Sequence, residues 1–314
     1  MRTIVNDAPS LALSYLRTAQ GYIEPQVYQR QYPDLQYPTL VPVDNSAPEW
    51  TRTVNFFSIG EDLGQARWFQ GEGDDVPFAD FKLDKGDSPI FMAAIGYRYN
   101  LEELAHAQMY GIQLTPERAA AARHGYETFV EKIAFQGDAR LGLTGLLNGA
   151  SVTVVAAPNG AGGTATWATK TPDEIAKDVN DAIFGVYSST NGIEAPNTLL
   201  LPISRLNYIA TKRLSDTTTT TVLEHIQRVN SYTVRTGQPL LIRGVFGMET
   251  AGAGGTARML VYRRDIEVVK MHIPMPHKFL PAESRLLKVE VPGIFRLGGV
   301  EWRRPGAARY VDGI

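Results

Sequence analysis

Two copies of the hexapeptide Gly-Ala-Gly-Gly-Thr-Ala are the part of this sequence that comes nearest to a cofactor-binding motif. They span residues 160–165 and 252–257, and each fits the dinucleotide pattern G-x-G-x-x-A. In that pattern the glycines open a helix directly, so that its N-terminus meets a pyrophosphate. Here the first copy is followed by a separate helix start at Thr171, the second runs into a strand, and no Gly-Lys-Ser/Thr follows for a P-loop. We therefore predict two surface loops and no cofactor.

Metal and acid–base chemistry find little more support. The five histidines show no H-E-x-x-H or similar metal spacing; His272 and His277 lie in a proline-rich connection, where we predict a packing role. Asp74 and Asp75 form a carboxylate pair that would suit catalysis or a cation, but in a polar turn they are more simply solubilising residues or contacts at a symmetry axis. No G-x-S-x-G elbow is present, and with no cysteine the chain has no thiolate, zinc–thiolate site or disulfide. We predict that the protein is not an enzyme and holds no metal.

Composition narrows the class of partner. Net charge is −2, with 44% hydrophobic and 20% charged residues, which is ordinary for a soluble globular protein and gives no electrostatic grip on nucleic acid or anionic membrane. The basic pairs Arg263-Arg264 and Arg303-Arg304 fit acidic protein surfaces better than DNA, because no stacking aromatic accompanies them. The N-terminus lacks a signal peptide's apolar core, and no apolar run approaches the roughly 20 residues that span a bilayer. We expect a soluble protein made in the cytoplasm.

A long two-stranded ribbon is predicted between residues 51 and 99. The outgoing limb comprises 51–59 and 65–69 around a break at 60–64, a polar tip lies at 71–77, and the return limb comprises 78–83 and 90–99 around a break at 84–89. An isolated ribbon is marginal in water, so another sheet or another subunit has to cover it. The aromatic residues expected to become buried only on assembly are Phe56, Phe57, Trp68, Phe69, Phe78 and Phe81.

Residues 1–49 are predicted to be an arm rather than part of a core. After a short helix at 8–19, five prolines favour an extended path. Two alternatives remain: the arm is draped over its own domain, or it lies over a neighbouring subunit. In the second case its anchors are the tyrosines Tyr28, Tyr32 and Tyr37.

The remainder is predicted to combine helices with an inserted α/β unit. A short helix spans 100–111, and a long one runs from an N-cap at Thr115 to Gln136. Its apolar face comprises Ala119, Ala122, Tyr126, Phe129, Val130 and Ile133. The α/β unit covers 151–246, with strands at 151–157, 198–202 and 240–246 and helices from Thr171, at 203–214 and at 222–229. Strands return at 258–262, 265–271, 286–291, 295–302 and 307–311.

In this order of elements the chain resembles the major capsid proteins of tailed phages, whose Hong Kong 97-like fold is shared with encapsulins. Two segments carry the resemblance locally. One runs from Gly96-Tyr-Arg-Tyr-Asn through Phe135-Gln-Gly-Asp to Gly142-Leu-Thr-Gly-Leu-Leu-Asn, and the other is Leu297-Gly-Gly-Val-Glu-Trp-Arg-Arg-Pro-Gly-Ala-Ala-Arg-Tyr-Val. The implied fold class is α+β, with an N-arm (1–49), an E-loop β-hairpin (50–95), a P-domain with a long spine helix (96–147 and 263–314) and an α/β A-domain (148–262).

The resemblance implies a structural virion protein that self-assembles into pentamers and hexamers of an icosahedral shell enclosing double-stranded DNA. Implied partners are other copies of the chain, a separate scaffolding protein, a portal and a decoration protein, with no cofactor and no membrane. Candidate contacts between subunits are the arm tyrosines and ribbon aromatics already named, with Asp74, Asp75, Arg263 and Arg264. Two alternatives stay open: an encapsulin-type shell around a protein cargo, and a nucleotide-binding α/β enzyme using the glycine-rich loops.

Overall fold

A computed structural model describes residues 35–62, 80–100, 102–103 and 114–314. The α-helices in these ranges are α1 (Tyr37–Leu40), α2 (Leu114–Gln136), α3 (Pro172–Ser189), α4 (Ile203–Thr211), α5 (Val222–Arg228) and α6 (Ser231–Thr236). The strands are β1 (Val43–Asp44), β2 (Thr53–Asp62), β3 (Asp80–Ala94), β4 (Tyr97–Asn100), β5 (Thr153–Ala156), β6 (Thr198–Pro202), β7 (Leu241–Val245), β8 (Arg258–Tyr262), β9 (Val269–His272), β10 (Met275–Phe279), β11 (Glu283–Arg285), β12 (Lys288–Val291), β13 (Gly293–Gly298), β14 (Val300–Trp302) and β15 (Ala308–Asp312). Short 3₁₀ turns lie at Ala253–Gly255 and Pro305–Ala307.

The ribbon predicted from the sequence is present as the antiparallel pair β2–β3. Its register runs from Thr53 opposite Pro89 to Asp62 opposite Asp80. The predicted breaks at 60–64 and 84–89 are wrong within the described residues, because β2 continues to Asp62 and β3 is one 15-residue strand. β3 changes partner after Pro89. Up to Pro89 the strand pairs with β2, and from Ile90, which lies opposite Gly298, it pairs with β13. The ribbon is therefore a direct extension of a sheet, in the order β10-β13-β3-β2.

Helix α2 supplies the long apolar face that the sequence predicted. Its inward side chains Ala122, Tyr126, Val130 and Ile133 are buried, but Phe129 is 40% exposed, so its inclusion in that face was only partly right. The helix begins at Leu114, one residue before the predicted cap. It ends at Gly137, whose φ of +68° and whose hypothetical Cβ, 2.2 Å from the Leu143 carbonyl oxygen, both require glycine.

The α/β unit is built on a five-stranded sheet in the order β5-β15-β8-β6-β7. β15 lies between β5 and β8, parallel to β5 and antiparallel to β8. The closing segment 263–314, which contains β15, therefore shares a sheet with the α/β unit, although the expected boundary separated the two. Strand alternation gives the sheet two buried faces. Leu199 and Leu201 pack with helices α3 to α5, whereas Leu200 packs in the core that includes α2.

Helix α3 begins where the sequence predicted. The Thr171 hydroxyl accepts from the Glu174 N–H at 3.4 Å, and the Glu174 carboxylate accepts from the Thr171 N–H at 2.8 Å, which completes a capping box. Helix α5 starts with the same arrangement between Thr221 and Glu224. Each pair satisfies two backbone donors that a helix start leaves free. The start at Thr171 was recognisable from these residue types alone, whereas the cap at Thr221 was not identified from the sequence.

Several local predictions need correction. Helices α1 and α6 were not predicted, and the strand predicted at 295–302 is two strands, β13 and β14, because Gly299 turns the chain against Thr144. The strand predicted at 286–291 begins only at Lys288, since Leu286 and Leu287 form the turn between β11 and β12. His272 and His277 lie in strands β9 and β10 instead of a connection.

Candidate self-assembly interface

The base of the ribbon is held by one aromatic side chain. Phe56 pairs across the ribbon with Gly86, and its ring lies directly over that glycine: a Cβ there would be 2.2 Å from Phe56 Cζ. The Arg303 guanidinium stands 5.0 Å from the centre of the same ring, within cation–π range. Phe56 is half-buried in its own subunit, whereas its neighbour Phe57 is 63% exposed. Phe56 therefore anchors the ribbon to the subunit, and Phe57 presents apolar surface outwards.

A chain of ionisable side chains continues from Arg303 into the core. Arg303 Nε lies 2.8 Å from Glu301 Oε1, and Glu301 Oε2 lies 3.1 Å from His272 Nε2. Beyond the histidine, Asp44 Oδ2 is 3.7 Å from His272 Nδ1 and 2.6 Å from Lys270 Nζ. Burial alone would raise the pKa of Glu301, but hydrogen bonds from His272 and Arg303 outweigh it and hold that pKa below its usual value. The chain of ionisable side chains links the N-terminal segment to the ribbon base.

The segment 36–44 is fastened to its own subunit. The Tyr37 hydroxyl donates to Glu127 Oε2 at 2.7 Å, and the Gln36 N–H donates to Glu131 at 3.1 Å, both on α2. The Tyr262 hydroxyl donates to the Leu40 carbonyl at 2.7 Å. Tyr37 is 7% exposed, so its surface is already covered within its own subunit, which argues against its predicted role as an anchor on a neighbouring subunit. Burial, with the negative charge of Glu127, raises the pKa of Tyr37 well above its usual value.

The basic pairs also find partners within the subunit. Arg263 Nη1 and Arg304 Nη1 both reach the buried Glu194 carboxylate, at 2.9 and 3.3 Å, and Arg263 additionally pairs with Asp265 at 3.0 Å. The Arg264 side chain is exposed. Of these candidate contacts, Arg264 therefore retains the most free surface, while Arg263 has a structural role as well.

Tyr28, Tyr32, Trp68, Phe69, Asp74, Asp75 and Phe78, like most of the predicted arm and of the helix at 100–111, lie outside the described residues. Phe81 lies in β3, opposite Glu61 of β2.

The tip of the β11–β12 hairpin is a surface feature that the sequence analysis missed. Leu286 is 102% exposed and Leu287 is 71% exposed, at the two-residue turn between Arg285 and Lys288. Leu286 also has φ of +51°, a left-handed conformation that costs a residue other than glycine about 1–2 kcal/mol. Burying a leucine side chain stabilises a folded protein by roughly 1.5–3 kcal/mol. Neither Leu286 nor Leu287 contributes that stabilisation to the isolated subunit. Both costs point to a contact outside the subunit.

The glycine-rich hexapeptides are loops, as predicted, and they fold alike. In the first, the N–H groups of Gly160 and Gly163 donate to the carbonyls of Thr164 and Gly160. In the second, Gly252 and Gly255 make the same two bonds with Thr256 and Gly252. Neither loop opens an α-helix, so neither meets the geometric requirement for a pyrophosphate site.

Among the described residues no cluster of histidines and carboxylates has the arrangement of a metal site. The His277 ring stacks on Tyr126 at 5.3 Å and its Nε2 lies 3.0 Å from the Ile95 carbonyl, which confirms the predicted packing role. No helix in the described part of the chain has the length and hydropathy needed to cross a bilayer.

Comparison with solved structures places this architecture. The chain is similar to a chain in the capsid of Myoviridae phage XM1, at 17% identity and a TM-score of 0.76, covering 95% of this chain and 98% of that one. It is also similar to a chain in the capsid of an empty GTA particle (13% identity, TM-score 0.60, 98% and 99% covered). A third likeness is to a virus-like particle from Pyrococcus furiosus (10% identity, TM-score 0.52, 88% and 91% covered).

The class is thereby defined, since an extended ribbon, a long helix and an α/β unit in this arrangement form the Hong Kong 97-like fold of phage capsid proteins. No curated protein matches the sequence. The family model for the major capsid protein matches residues 64–314, and the chain belongs to that family. It is a structural subunit that assembles with its own copies into a capsid.

Proposed function

We propose that this chain builds the icosahedral head of a tailed phage as pentamers and hexamers around double-stranded DNA, without catalysis. The observation that carries the proposal is the ribbon: β2 and β3 extend a sheet beyond the core and expose Phe57. Net charge near zero suits a wall that contains DNA without gripping its phosphates. Closed symmetry multiplies contacts that are individually modest.

Within this proposal the subdomains are an N-arm at 1–49, an E-loop at 50–95, a P-domain at 96–147 and 263–314, and an A-domain at 148–262. The central position of β15 in the five-stranded sheet makes residues 308–312 part of the A-domain sheet instead. The segment 36–44 acts as the fixed root of the arm, because its hydrogen bonds to α2 and Tyr262 hold it to its own subunit.

The proposed partners follow from the same role. The subunit is made in the host cytoplasm, assembles with a separate scaffolding protein and a portal, and receives a decoration protein on the finished shell. Candidate contacts with neighbouring copies remain Phe56, Phe57 and Phe81 on the ribbon strands, Arg264, and the candidates that lie outside the described residues.

Electron microscopy of the purified protein, alone and with its scaffolding protein, tests the proposal. We expect closed shells with five- and six-fold capsomers; a protein that stays monomeric at high concentration in both conditions would refute it. Shells that form readily alone and enclose a protein cargo would favour the encapsulin-type alternative. Micromolar nucleotide binding by calorimetry would revive the enzyme alternative.

Deleting residues 1–40 tests the arm. The deletion removes Tyr37 and the Leu40 carbonyl that Tyr262 holds, so a shorter deletion of residues 1–34 is the matched variant that keeps the fixed root. We expect soluble subunits and impaired shell closure from both variants. Normal particles from the shorter deletion would contradict an arm that lies over a neighbour.

A further inference from the structure

The three-stranded sheet β11-β12-β4 carries its charges in rows. One row pairs Glu283 with Glu290 in register, and the next, two residues nearer the tip, contains Lys288. Like charges directly opposite each other destabilise an antiparallel pair. Arg98 extends the acidic row and offsets one of its two charges, whereas a neutral asparagine extends the basic row. The hairpin therefore presents a negative band and a positive band side by side.

These bands face away from the subunit. Side chains alternate between the two faces of a strand, and Val289, between Lys288 and Glu290, is in register with Tyr99, which is buried. Lys288 is exposed and Glu290 is half-buried. The charged face is thus the outer face of the sheet.

A knob and a hollow lie at opposite ends of the same hairpin. The knob is the exposed tip Leu286-Leu287. The hollow is a cleft of about 420 Å³ at the hairpin base, lined by Gly96, Tyr97, Val291 and Pro292 together with the charged residues Arg98, Glu283 and Glu290. Since these three charged residues form part of its lining, the cleft adjoins the charged face.

We propose that this face pairs with the same face of a second copy about a two-fold axis level with Val289; this interface deepens the proposed shell function and rests on it. Such an axis reverses the strand direction and exchanges position 288 with position 290. It therefore places Lys288 of each copy opposite Glu290 of the other copy. The same rotation exchanges 287 with 291, which brings each leucine tip to the other copy's cleft.

Pairing about this one axis thus accounts for three features that the isolated subunit leaves uncompensated: the like-charge pair Glu283–Glu290, the exposed leucines and the left-handed conformation of Leu286. An interface of this kind is isologous, because the same patch serves both copies. The relative orientation of the two copies is specified by charge as well as shape, since packing the same two faces with their strands parallel would bring like bands together.

Charge reversal in trans is the first test. Lys288→Glu and Glu290→Lys, each alone, set like charges together, and we expect shell yield to fall at least about tenfold by electron microscopy. In an equimolar mixture of the two variants, opposite charges face each other wherever a Lys288→Glu copy meets a Glu290→Lys copy. In the double variant, opposite charges face each other in every pair of copies. We therefore expect both the mixture and the double variant to recover shell yield. Variants that assemble like the wild type, or a mixture that recovers nothing while the double variant also fails, would overturn the pairing.

Crosslinking tests the contact without relying on shells. The chain contains no cysteine, so a variant with one introduced cysteine can be crosslinked through its thiol only to another copy. Facing sheets lie about 10 Å apart, beyond the reach of a disulfide, so a bis-maleimide of about that length is the probe. A mixture of Lys288→Cys and Glu290→Cys treated with it should give more covalent dimer on a denaturing gel than either variant alone. Absence of dimers from wild-type-like shells of the mixture would refute the interface; absence of shells from the wild type itself would instead refute the proposed function.

Leu286→Gly isolates the role of the tip. Glycine adopts the left-handed conformation without penalty, so the unfolding midpoint of the free subunit should stay the same or rise. Shell yield should nevertheless fall at least about tenfold, because half of each knob is gone. Unchanged yield would show that the leucines make no contact in the shell.

Discussion

Removing the buried ammonium of Lys170 is the perturbation whose size the structure defines best. Lys170 lies just before α3 and is 2% exposed. Its Nζ contacts Asp178 Oδ2, which also accepts from Trp167 Nε1 at 3.0 Å. Lys170→Met keeps most of the side-chain volume and leaves the Asp178 carboxylate buried with one neutral donor.

Breaking one side of a buried ion pair costs about 3–5 kcal/mol. For a chain of this length, an entropy of unfolding of about 2.1 cal/mol/K per residue converts that to a fall in Tm of about 5–8 °C. Lys177→Met is the matched control, because Lys177 is exposed on the same helix, and a surface change of this kind stays within about 0.5 kcal/mol. Chemical unfolding of the free subunit, followed by circular dichroism, measures both variants.

The pH dependence separates loss of charge compensation from loss of packing. Burial raises the pKa of Asp178 even with its hydrogen bonds from Lys170 and Trp167, and without Lys170 that pKa rises further. An acid whose pKa is raised by folding loses stability as pH rises through its unfolded value of about 4 towards its folded value. The penalty of Lys170→Met should therefore be smaller at pH 4.5 than at pH 7. The double variant Lys170→Met, Asp178→Leu should recover most of it. A penalty equal to the control's, or independent of pH, would refute the reasoning.

The remaining predictions concern the ribbon and the loss of stability at acid pH. Gly86→Ala forces the Phe56 ring off its seat, since the new Cβ would lie 2.2 Å from Cζ; we expect a loss of about 1–3 kcal/mol in chemical unfolding and malformed shells by electron microscopy. Phe57→Asp removes exposed apolar surface, so subunit unfolding should change by less than about 0.5 kcal/mol while shell yield falls; normal shells would exclude Phe57 from the interface. Burial opposes ionisation of Asp312, but hydrogen bonds from Arg258 outweigh it and lower its pKa, so this carboxylate contributes stability above about pH 4 that is lost as pH falls through the lowered pKa. Asp312→Asn should lower the free energy of unfolding at pH 7. It should also make the loss of stability between pH 7 and pH 3 less steep, as measured by unfolding midpoints across that range.

Local residue patterns were enough to predict much of the secondary structure. The Thr171 cap predicted a helix start because threonine with glutamate three residues later satisfies backbone donors within one turn. The β2–β3 ribbon was predictable from strand alternation, which is also local. Sheet order was not, since β15 lies between β5 and β8, strands separated from it by about 150 and 50 positions in sequence, and nothing in the pattern of a strand identifies distant partners.

Tyr37 shows why the candidate interface was harder to predict than the fold. A tyrosine in a proline-rich segment has the same local sequence whether it packs on its own subunit or on another. What holds Tyr37 to its own subunit is Glu127, 90 residues away, which accepts a hydrogen bond from the tyrosine hydroxyl. Exposure in the folded subunit is the quantity that separates the two cases, and it removes Tyr37 while retaining Phe57.

The same criterion applies with more force to the hairpin tip. In sequence, Leu286-Leu287-Lys288-Val289 continues an alternating strand, and no glycine or asparagine marks a turn. The turn is imposed from outside the tip: the Leu280 N–H donates to the Pro292 carbonyl at 2.8 Å, and the strand register between them leaves two residues to close the loop. A sequence selected only for a stable subunit would place glycine or asparagine where φ is positive and a polar residue where exposure is complete. Leucine at that position is stabilised by nothing in the described subunit, so the energy that favours it has to come from a contact made after folding. That places the hairpin tip, with the ribbon, among the parts of this chain whose residues are explained by the capsid and not by the monomer.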